Sequence, residues 1–215
     1  MKPTLGRLHV ITDEQLQTRF SHLQVAALAL LGGADTVQFR EKRLWITKEM
    51  MDVASRIGTA CAGAGALFVV DDRVDVAAAV NAPAVHLGKN DLPPDVARRL
   101  LGEDVLIGGT ANSLEEAVAV AQTPVDYLGV GPVFGTQSKA NPAPVMGLDN
   151  LRAIVQAVNK PVIAIGSITV DRIDDVLATG AYGVAVLSGI TCQEDPTAAA
   201  RRYRLALDRA LVARR

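Results

Sequence analysis

The sequence predicts an α/β protein that folds as a single (β/α)8 TIM barrel. Short β-branched runs alternate eight times with longer stretches rich in alanine and leucine. The short runs are continuously apolar, which is typical of strands buried on both faces of a parallel sheet. The 215 residues give about 27 residues per unit, close to the minimum for a strand, a helix and two short loops. A doubly wound open sheet is the alternative, but its six strands would leave two units unplaced.

The first four strand–helix units follow one another without a linker. Ser21 stands where a side chain can cap the first helix, and Pro94 opens the fourth helix, where a missing N–H has no consequence. The predicted strands are 8–12, 36–40, 66–70 and 84–88, and the predicted helices are 21–31, 47–62, 74–80 and 94–101.

The last four units include a longer polar loop after the sixth strand. Ser113 and Glu116 have the spacing of a capping box at the start of the fifth helix. We expect one domain over residues 1–215, with the loop at 136–139 closing the site because no residues remain for a lid domain. The predicted strands are 105–110, 127–133, 161–167 and 182–188, and the predicted helices are 113–121, 148–158, 170–179 and 196–214.

Composition excludes several classes of protein. Hydrophobic residues make up 49% of the chain, which excludes an intrinsically disordered protein. The net charge of -1 and the 4% of aromatic residues argue against nucleic-acid partners. No apolar run reaches the roughly 18 residues of a membrane span. Two distant cysteines, Cys61 and Cys192, fit a reduced cytoplasmic protein; the sequence leaves open a homo-oligomer.

Polar residues follow the second predicted strand, at the barrel end where catalytic sites form. Gln38, Arg40 and Lys42 share strand parity, so their side chains should point to one side. Two cations and an amide suit a phosphorylated anion. The alternative is a solvated strand end with Glu41 as the counter-charge.

Carboxylates follow the third and fourth predicted strands. Either Asp71 or Asp72 could cap the next helix, and Asp91 could cap the one after it, which is a common role. Carboxylates from adjacent strand ends can also hold one Mg2+ that shares substrate phosphates. We favour the metal because two cations suited to a diphosphate stand next to it.

Small residues and hydroxyls follow the last three strands. Thr136, Ser138 and Lys139 form either a second anion contact or a flexible polar loop. The pairs Gly166–Ser167 and Leu187–Ser188 can bring backbone N–H groups to a phosphate.

The three histidines give weaker signals. His9 and His22 are interpreted as structural, and His86 as a hydrogen-bonded core residue. The sequence shows neither a Ser/His/Asp arrangement nor a histidine metal cluster.

Six motifs occur in the order seen in thiamine-phosphate synthases, and the resemblance spans nearly the whole chain. It implies a barrel that joins 4-amino-5-hydroxymethyl-2-methylpyrimidine diphosphate to thiazole phosphate, forming thiamine phosphate and pyrophosphate with Mg2+ as cofactor. The motifs are QFREK (38–42), DDRVD (71–75), HLGKND (86–91), GVGPVFGTQSK (129–139), AIGSI (164–168) and VLSGI (186–190).

The resemblance also implies a role for each matching residue. Arg40, Lys42 and Lys139 would be catalytic, and Asp72 and Asp91 would bind the metal. The pyrimidine diphosphate would meet Gln38, Phe39, Arg40, Glu41, Lys42, Asp71, Thr110 and Lys139. The thiazole phosphate would meet Thr136, Gln137, Ser138, Gly166, Ser167, Leu187 and Ser188.

The chain departs from the family pattern at three site positions. Asp71 stands where asparagine is usual, Ser167 where a second glycine is usual, and Thr110 where serine is common. Asp71 adds negative charge near the diphosphate, so substrate identity is less securely implied than metal and phosphate binding.

A sister branch, the thiazole tautomerases, is the near alternative. The VLSGI ending and the ARRY stretch at 200–203 resemble it. That branch uses a histidine where this chain has Asn112 and often loses the diphosphate and metal residues, so the synthase is favoured. A non-catalytic sensor of thiamine intermediates and, more distantly, a Schiff-base aldolase using Lys42 are the other hypotheses.

Overall fold

The structure is a computed structural model in which residues 2–136 and 143–214 are described. Over these residues, eight parallel strands pair in chain order and close into a barrel. The closing pair joins the last strand to the first, with Val10 opposite Val186. The predicted (β/α)8 barrel is therefore confirmed, and the open-sheet alternative is wrong.

The strands and helices alternate around this barrel. The strands are β1 Leu8–Thr12, β2 Thr36–Phe39, β3 Leu67–Asp71, β4 Ala84–Leu87, β5 Leu106–Ala111, β6 Tyr127–Val130, β7 Val162–Ile165 and β8 Gly183–Val186. The helices are α1 His22–Leu31, α2 Thr47–Ala64, α3 Val74–Ala79, α4 Pro94–Leu101, α5 Leu114–Ala121, α6 Gly147–Ala157, α7 Ile173–Ala178, α8 Ser188–Thr191 and α9 Pro196–Val212, with a 3-10 turn at Val170–Arg172.

The main differences from the predicted elements lie at strand ends. The sixth strand ends at Val130 instead of 133, because Val133 and Phe134 donate their N–H groups to the carbonyls of Ile165 and Gly166. The predicted helix 170–179 divides into the 3-10 turn and α7, and the short α8 was not predicted. The chain is no longer in strand conformation in these segments, which lie at the mouth of the barrel.

The two predicted helix caps differ in completeness. Ser21 forms a full capping box with Gln24 at α1. At α5, the Ser113 side chain accepts from the Glu116 N–H, but the Glu116 carboxylate accepts from the N–H of Asn112. The box at α5 is therefore only half formed.

The core has an apolar layer outside the strands and a mixed interior. Valine, leucine, isoleucine and alanine side chains fill the space between strands and helices. His9 and Tyr127 are buried and belong to the barrel strands. No helix of the described residues is long and apolar enough to cross a membrane. The strand ends thus carry their polar residues to one mouth of a rigid barrel.

Candidate active site

Gln38, Arg40 and Lys42 converge on one carboxylate at the barrel mouth. Gln38 Nε2 donates to Asp71 Oδ1 at 3.0 Å. Arg40 Nε and Lys42 Nζ lie 3.7 and 3.4 Å from Asp71 Oδ2. Strand parity therefore predicted correctly that these three side chains share a side. Their common neighbour, Asp71, ends β3, the strand beside β2.

Asp71 sits in an environment that disfavours its charge. Its side chain is 9% exposed. Burial raises the pKa of the Asp71 carboxyl above its ordinary value, while Lys42 and Arg40 pull it down and Asp91 raises it further. The Asp91 carboxylate therefore interacts electrostatically with the Asp71 carboxylate.

Asp72 and Asp91 do not cap the helices that follow them. The cap positions of α3 and α4 are Arg73 and Pro93, and neither helix has a side-chain cap bond. The Asp72 carboxylate instead contacts Lys42 Nζ, and Asp91 Oδ2 accepts from the Gly88 N–H at 2.6 Å. The helix-cap interpretation is wrong for both residues.

Asp72 and Asp91 suit Mg2+ only if waters and substrate phosphates supply the remaining ligands. Among residues 2–136 and 143–214, no group of three or more histidine, cysteine or acidic side chains is arranged to hold a metal. Mg2+ requires hard oxygen ligands and commonly keeps waters and substrate phosphates beside one or two carboxylates. The donor set of Asp72 and Asp91 meets that requirement.

Asp13 belongs to the same site and was missed by the sequence reasoning. It is 3% exposed, and its Oδ1 accepts the N–H groups of Gln15 and Leu16 at 2.8 Å each. Its Oδ2 accepts from Arg40 Nη1. The signal was present, since Asp13 directly follows β1 as Asp72 follows β3. Arg40 is thus held between Asp13 and Asp71.

Phe39 and Glu41 do not join the Asp71 group. Phe39 is 1% exposed and packs edge-on against His22, with ring centroids 4.8 Å apart. The Glu41 side chain is 2% exposed; it accepts hydrogen bonds from Arg43 and lies 3.2 Å from His22 Nε2. Alternation along the chain turns both side chains toward α1, and their predicted contact with the diphosphate stays a prediction.

We call Thr12, Glu14, His22, Glu41 and Arg43 the His22 cluster. His22 Nδ1 lies 2.7 Å from Thr12 Oγ1, and Glu14 accepts from both the His22 N–H and Arg43. Burial lowers the pKa of His22 despite the nearby carboxylates. This cluster connects the loop after β1, the loop after β2 and helix α1. In sequence, Arg40 and Lys42 stand on either side of its member Glu41.

Five of the seven residues predicted to bind the thiazole phosphate line a cavity of about 310 Å³, and the other two, Gln137 and Ser138, lie outside the described residues. Arg40 is the one charged residue among its described lining residues. The sequence predicted the glycine and hydroxyl residues of this lining but not its apolar side chains, such as Ile11, Phe134 and Ile165. The cavity is lined by Ile11, Arg40, Phe134, Thr136, Ile165, Gly166, Ser167, Ile168, Ala185, Val186, Leu187, Ser188 and Gly189.

The backbone at Gly166 and Ser167 is shaped by close packing. Gly166 has φ 108°, and a Cβ there would lie 2.6 Å from Pro132. Ser167 has φ 46°, a left-handed conformation that costs a non-glycine residue about 1 kcal/mol or more. Tyr203 supports this turn by donating its hydroxyl to the Ile168 carbonyl at 2.9 Å.

Thr110 lies at the end of a half-buried hydrogen-bonded chain. His86 Nε2 is 2.9 Å from Thr110 Oγ1, and His86 Nδ1 is 3.2 Å from the Tyr127 hydroxyl. The predicted hydrogen bonding of His86 is therefore confirmed, but the residue is half-buried and does not lie in the core. Asn112, at the position where the tautomerase branch has a histidine, donates to the Gly131 carbonyl.

Three predicted site residues, Gln137, Ser138 and Lys139, lie outside the described residues. Their assignments, like that of the closing loop at 136–139, stay predictions.

Comparisons with known proteins agree with this geometry. Residues 8–190 match the family described as Thiamine monophosphate synthase. A thiamine-phosphate synthase of Salinibacter ruber is 47% identical over 95% of this chain and 90% of the relative. One from Chloroflexus aurantiacus is 45% identical over 92% and 91%. The solved thiamine phosphate pyrophosphorylase of Pyrococcus furiosus superposes with a TM-score of 0.87, at 40% identity, over 95% of this chain and 96% of that one.

Proposed function

The chain belongs to the thiamine monophosphate synthase family, and from that premise we propose how its residues carry the reaction. The enzyme is a transferase of thiamine biosynthesis. It couples 4-amino-5-hydroxymethyl-2-methylpyrimidine diphosphate to thiazole phosphate and releases pyrophosphate. The observation that carries the proposal is the convergence of Arg40, Lys42 and the carboxylates at one mouth, beside a cavity that Arg40 also lines together with Gly166–Ser167 and Leu187–Ser188.

Departure of the diphosphate comes first in the proposed mechanism. The bond from the pyrimidine methylene carbon to the bridging oxygen breaks, and the electron pair leaves with pyrophosphate. Arg40 and Lys42 stabilise this developing charge, and Lys139 is proposed to do the same. The electron-rich aminopyrimidine supports the methylene cation left behind.

The second step forms the new carbon–nitrogen bond. The thiazole nitrogen donates its electron pair to the methylene carbon, while the thiazole phosphate is held in the cavity of Phe134 and Ser167. Thr136 is proposed to hold that phosphate together with Gln137 and Ser138. Catalysis is then mainly positioning and electrostatics, and no strong general base is needed.

Asp72 and Asp91 are the proposed ligands of Mg2+. The bound ion would neutralise charge on the diphosphate as it departs. The Lys42 ammonium contacts the Asp72 carboxylate, so we propose that this lysine also positions one of the two metal ligands.

A coupled assay tests the proposal. Purified protein with both substrates and Mg2+ should form thiamine phosphate and pyrophosphate in equal amounts, measured by chromatography. Asp91→Asn should lower the rate by at least about tenfold and weaken the calorimetric binding of magnesium pyrophosphate. The matched control is Asp95→Asn, an exposed residue whose carboxylate pairs with Arg99 on α4.

Three results would contradict the proposal. Folded protein that forms no thiamine phosphate excludes the synthase, and ligand binding without turnover would then favour a sensor. Chelator-insensitive turnover of thiazole carboxylate phosphate alone would favour the tautomerase. An unchanged rate in Asp91→Asn would remove that residue from the metal site.

The remaining expectations are proposals about the whole chain. We propose that residues 1–215 act as one domain in the cytoplasm on small phosphorylated substrates, without nucleic-acid or membrane partners. An oligomer of identical chains would be detected by light scattering.

A further inference from the structure

We propose that Arg172 supplies the positive charge for the phosphate in the cavity of Phe134 and Ser167. This inference rests on the proposed function, because it assigns a further residue to the thiazole phosphate subsite. Arg172 ends the 3-10 turn that follows β7 and is half-buried. None of the motifs that define the family resemblance includes it.

The contacts of Arg172 place its guanidinium against two residues of the cavity wall. Its Nη1 donates to the Ser167 carbonyl at 3.2 Å. Its Cζ lies 4.3 Å from the centroid of the Phe134 ring. An arginine has five N–H donors in a planar fork. The carbonyl uses one of these donors and the ring face orients the group, so donors remain for a phosphate at the same rim.

The charge of Arg172 is not neutralised by these contacts. A carbonyl and a phenyl ring are neutral partners, and no ion pair joins Arg172 to a carboxylate of the described residues. A hydrogen bond from the Thr169 side chain and the charge of Arg172 both contribute to lowering the pKa of the neighbouring Asp171, but Asp171 is exposed, so solvent screens its interaction with Arg172. A guanidinium left unneutralised beside a polar cavity favours an anionic ligand there.

Arg40, which lines the same cavity, is a poorer source of charge. Its guanidinium pairs with Asp13 and also lies near Asp71. Two carboxylates thus offset its single charge and hold it toward the diphosphate side. Among the described residues, Arg172 contacts two of the lining residues without lining the cavity itself, and its charge is less offset than that of Arg40, so it is the cation proposed for the phosphate.

A purely structural role would be different. Ser167 has a left-handed backbone, and the Arg172 bond to its carbonyl could serve only to hold that turn. A glycine at position 167 would adopt the same φ without strain. The substitution Ser167→Gly therefore distinguishes an Arg172 that only holds the turn from an Arg172 that supplies charge to the phosphate.

Calorimetry tests the proposal without turnover. Thiazole phosphate, its unphosphorylated alcohol and magnesium pyrophosphate are titrated into the protein and into Arg172→Gln. The variant should bind thiazole phosphate about tenfold more weakly, the size expected for one partly exposed charge-assisted contact. Binding of the alcohol and of pyrophosphate should change by less than about twofold. Arg172→Lys should recover most of the loss because it restores the charge.

The matched control is Arg152→Gln, a half-buried arginine of α6 that pairs with Asp149. The double variant Arg172→Gln/Ser167→Gly should bind thiazole phosphate as weakly as Arg172→Gln. Equal losses for the phosphate and the alcohol, or recovery in the double variant, would overturn the proposal in favour of an Arg172 that only holds the turn. The calorimetric test of Arg172 measures binding alone, so it can be interpreted even if the protein does not catalyse the coupling reaction. Absence of that reaction would instead contradict the proposed function.

Discussion

At the scale of single residues, Asp71 bears directly on the proposed diphosphate site. Its carboxylate accepts from Gln38 and lies near both proposed site cations, Arg40 and Lys42. A negative charge there would oppose the proposed diphosphate while it holds the cations together. The family resemblance implies a neutral asparagine at this position, so Asp71 adds one negative charge to the implied pattern.

We predict that Asp71→Asn binds magnesium pyrophosphate about fivefold more tightly, because one repulsive charge near the anion is removed. Calorimetry at fixed ionic strength measures the change. Asp75→Asn is the control, since Asp75 is exposed and pairs with Arg73 on α3. Weaker binding in Asp71→Asn would mean that the carboxylate orients the cations more than it repels the ligand.

Part of this site could be predicted from sequence because strand geometry is local. The period of two along a strand is enough to place Gln38, Arg40 and Lys42 on one side. The pairing of Arg40 with Asp13 could not be found in the same way, since it joins loops 27 residues apart. Asp13 directly follows β1, a position that places a residue at the mouth of the barrel but does not identify its partner.

At the scale of elements, the His22 cluster fixes the segment that carries the site cations. Glu41 stands between Arg40 and Lys42 in sequence, but its buried carboxylate is bound on the α1 side by Arg43 and His22. A strongly held residue between two functional ones restricts the backbone of both. The sequence indicated that Glu41 was a charged neighbour, yet its partners depend on how α1 packs beside β2.

We predict that Glu41→Gln raises the KM for the pyrimidine diphosphate severalfold and leaves the KM for thiazole phosphate nearly unchanged. The free energy of unfolding should fall by about 1–3 kcal/mol, because Arg43 and its partners lose a buried charge-assisted bond. Steady-state kinetics and urea titration give the two quantities. Glu49→Gln, an exposed change in the first turn of α2, should alter neither.

A rise in both KM values by the same factor would contradict the positioning role. So would a loss of stability with unchanged kinetics, because the cluster would then serve only the fold. Glu41→Asp keeps the charge on a shorter side chain, so its KM for the pyrimidine diphosphate should lie between those of Glu41→Gln and the unchanged protein.

At the scale of the whole barrel, its interior sets the pH dependence of stability. His9 is 3% exposed, faces the Tyr127 ring and has its Nε2 3.1 Å from the Gly6 carbonyl. Burial lowers the pKa of His9 from 6.5 to about 4. The unfolded chain therefore binds a proton between these two pH values and the folded barrel does not, so the free energy of unfolding falls as pH falls through that window.

We predict that the protein loses about 2–3 kcal/mol of unfolding free energy from His9 between pH 7 and pH 4. His9→Gln, which keeps a donor for Gly6, should flatten this part of the curve. His22, whose pKa is also lowered, acts in the same direction, whereas the raised pKa of Asp71 acts in the opposite one. The informative quantity is therefore the difference between the two proteins, measured by urea titration at each pH. Parallel curves would show that His9 takes up a proton in the folded barrel as readily as in the unfolded chain, which would mean that the Asp35 carboxylate and the Gly6 carbonyl offset the whole effect of burial.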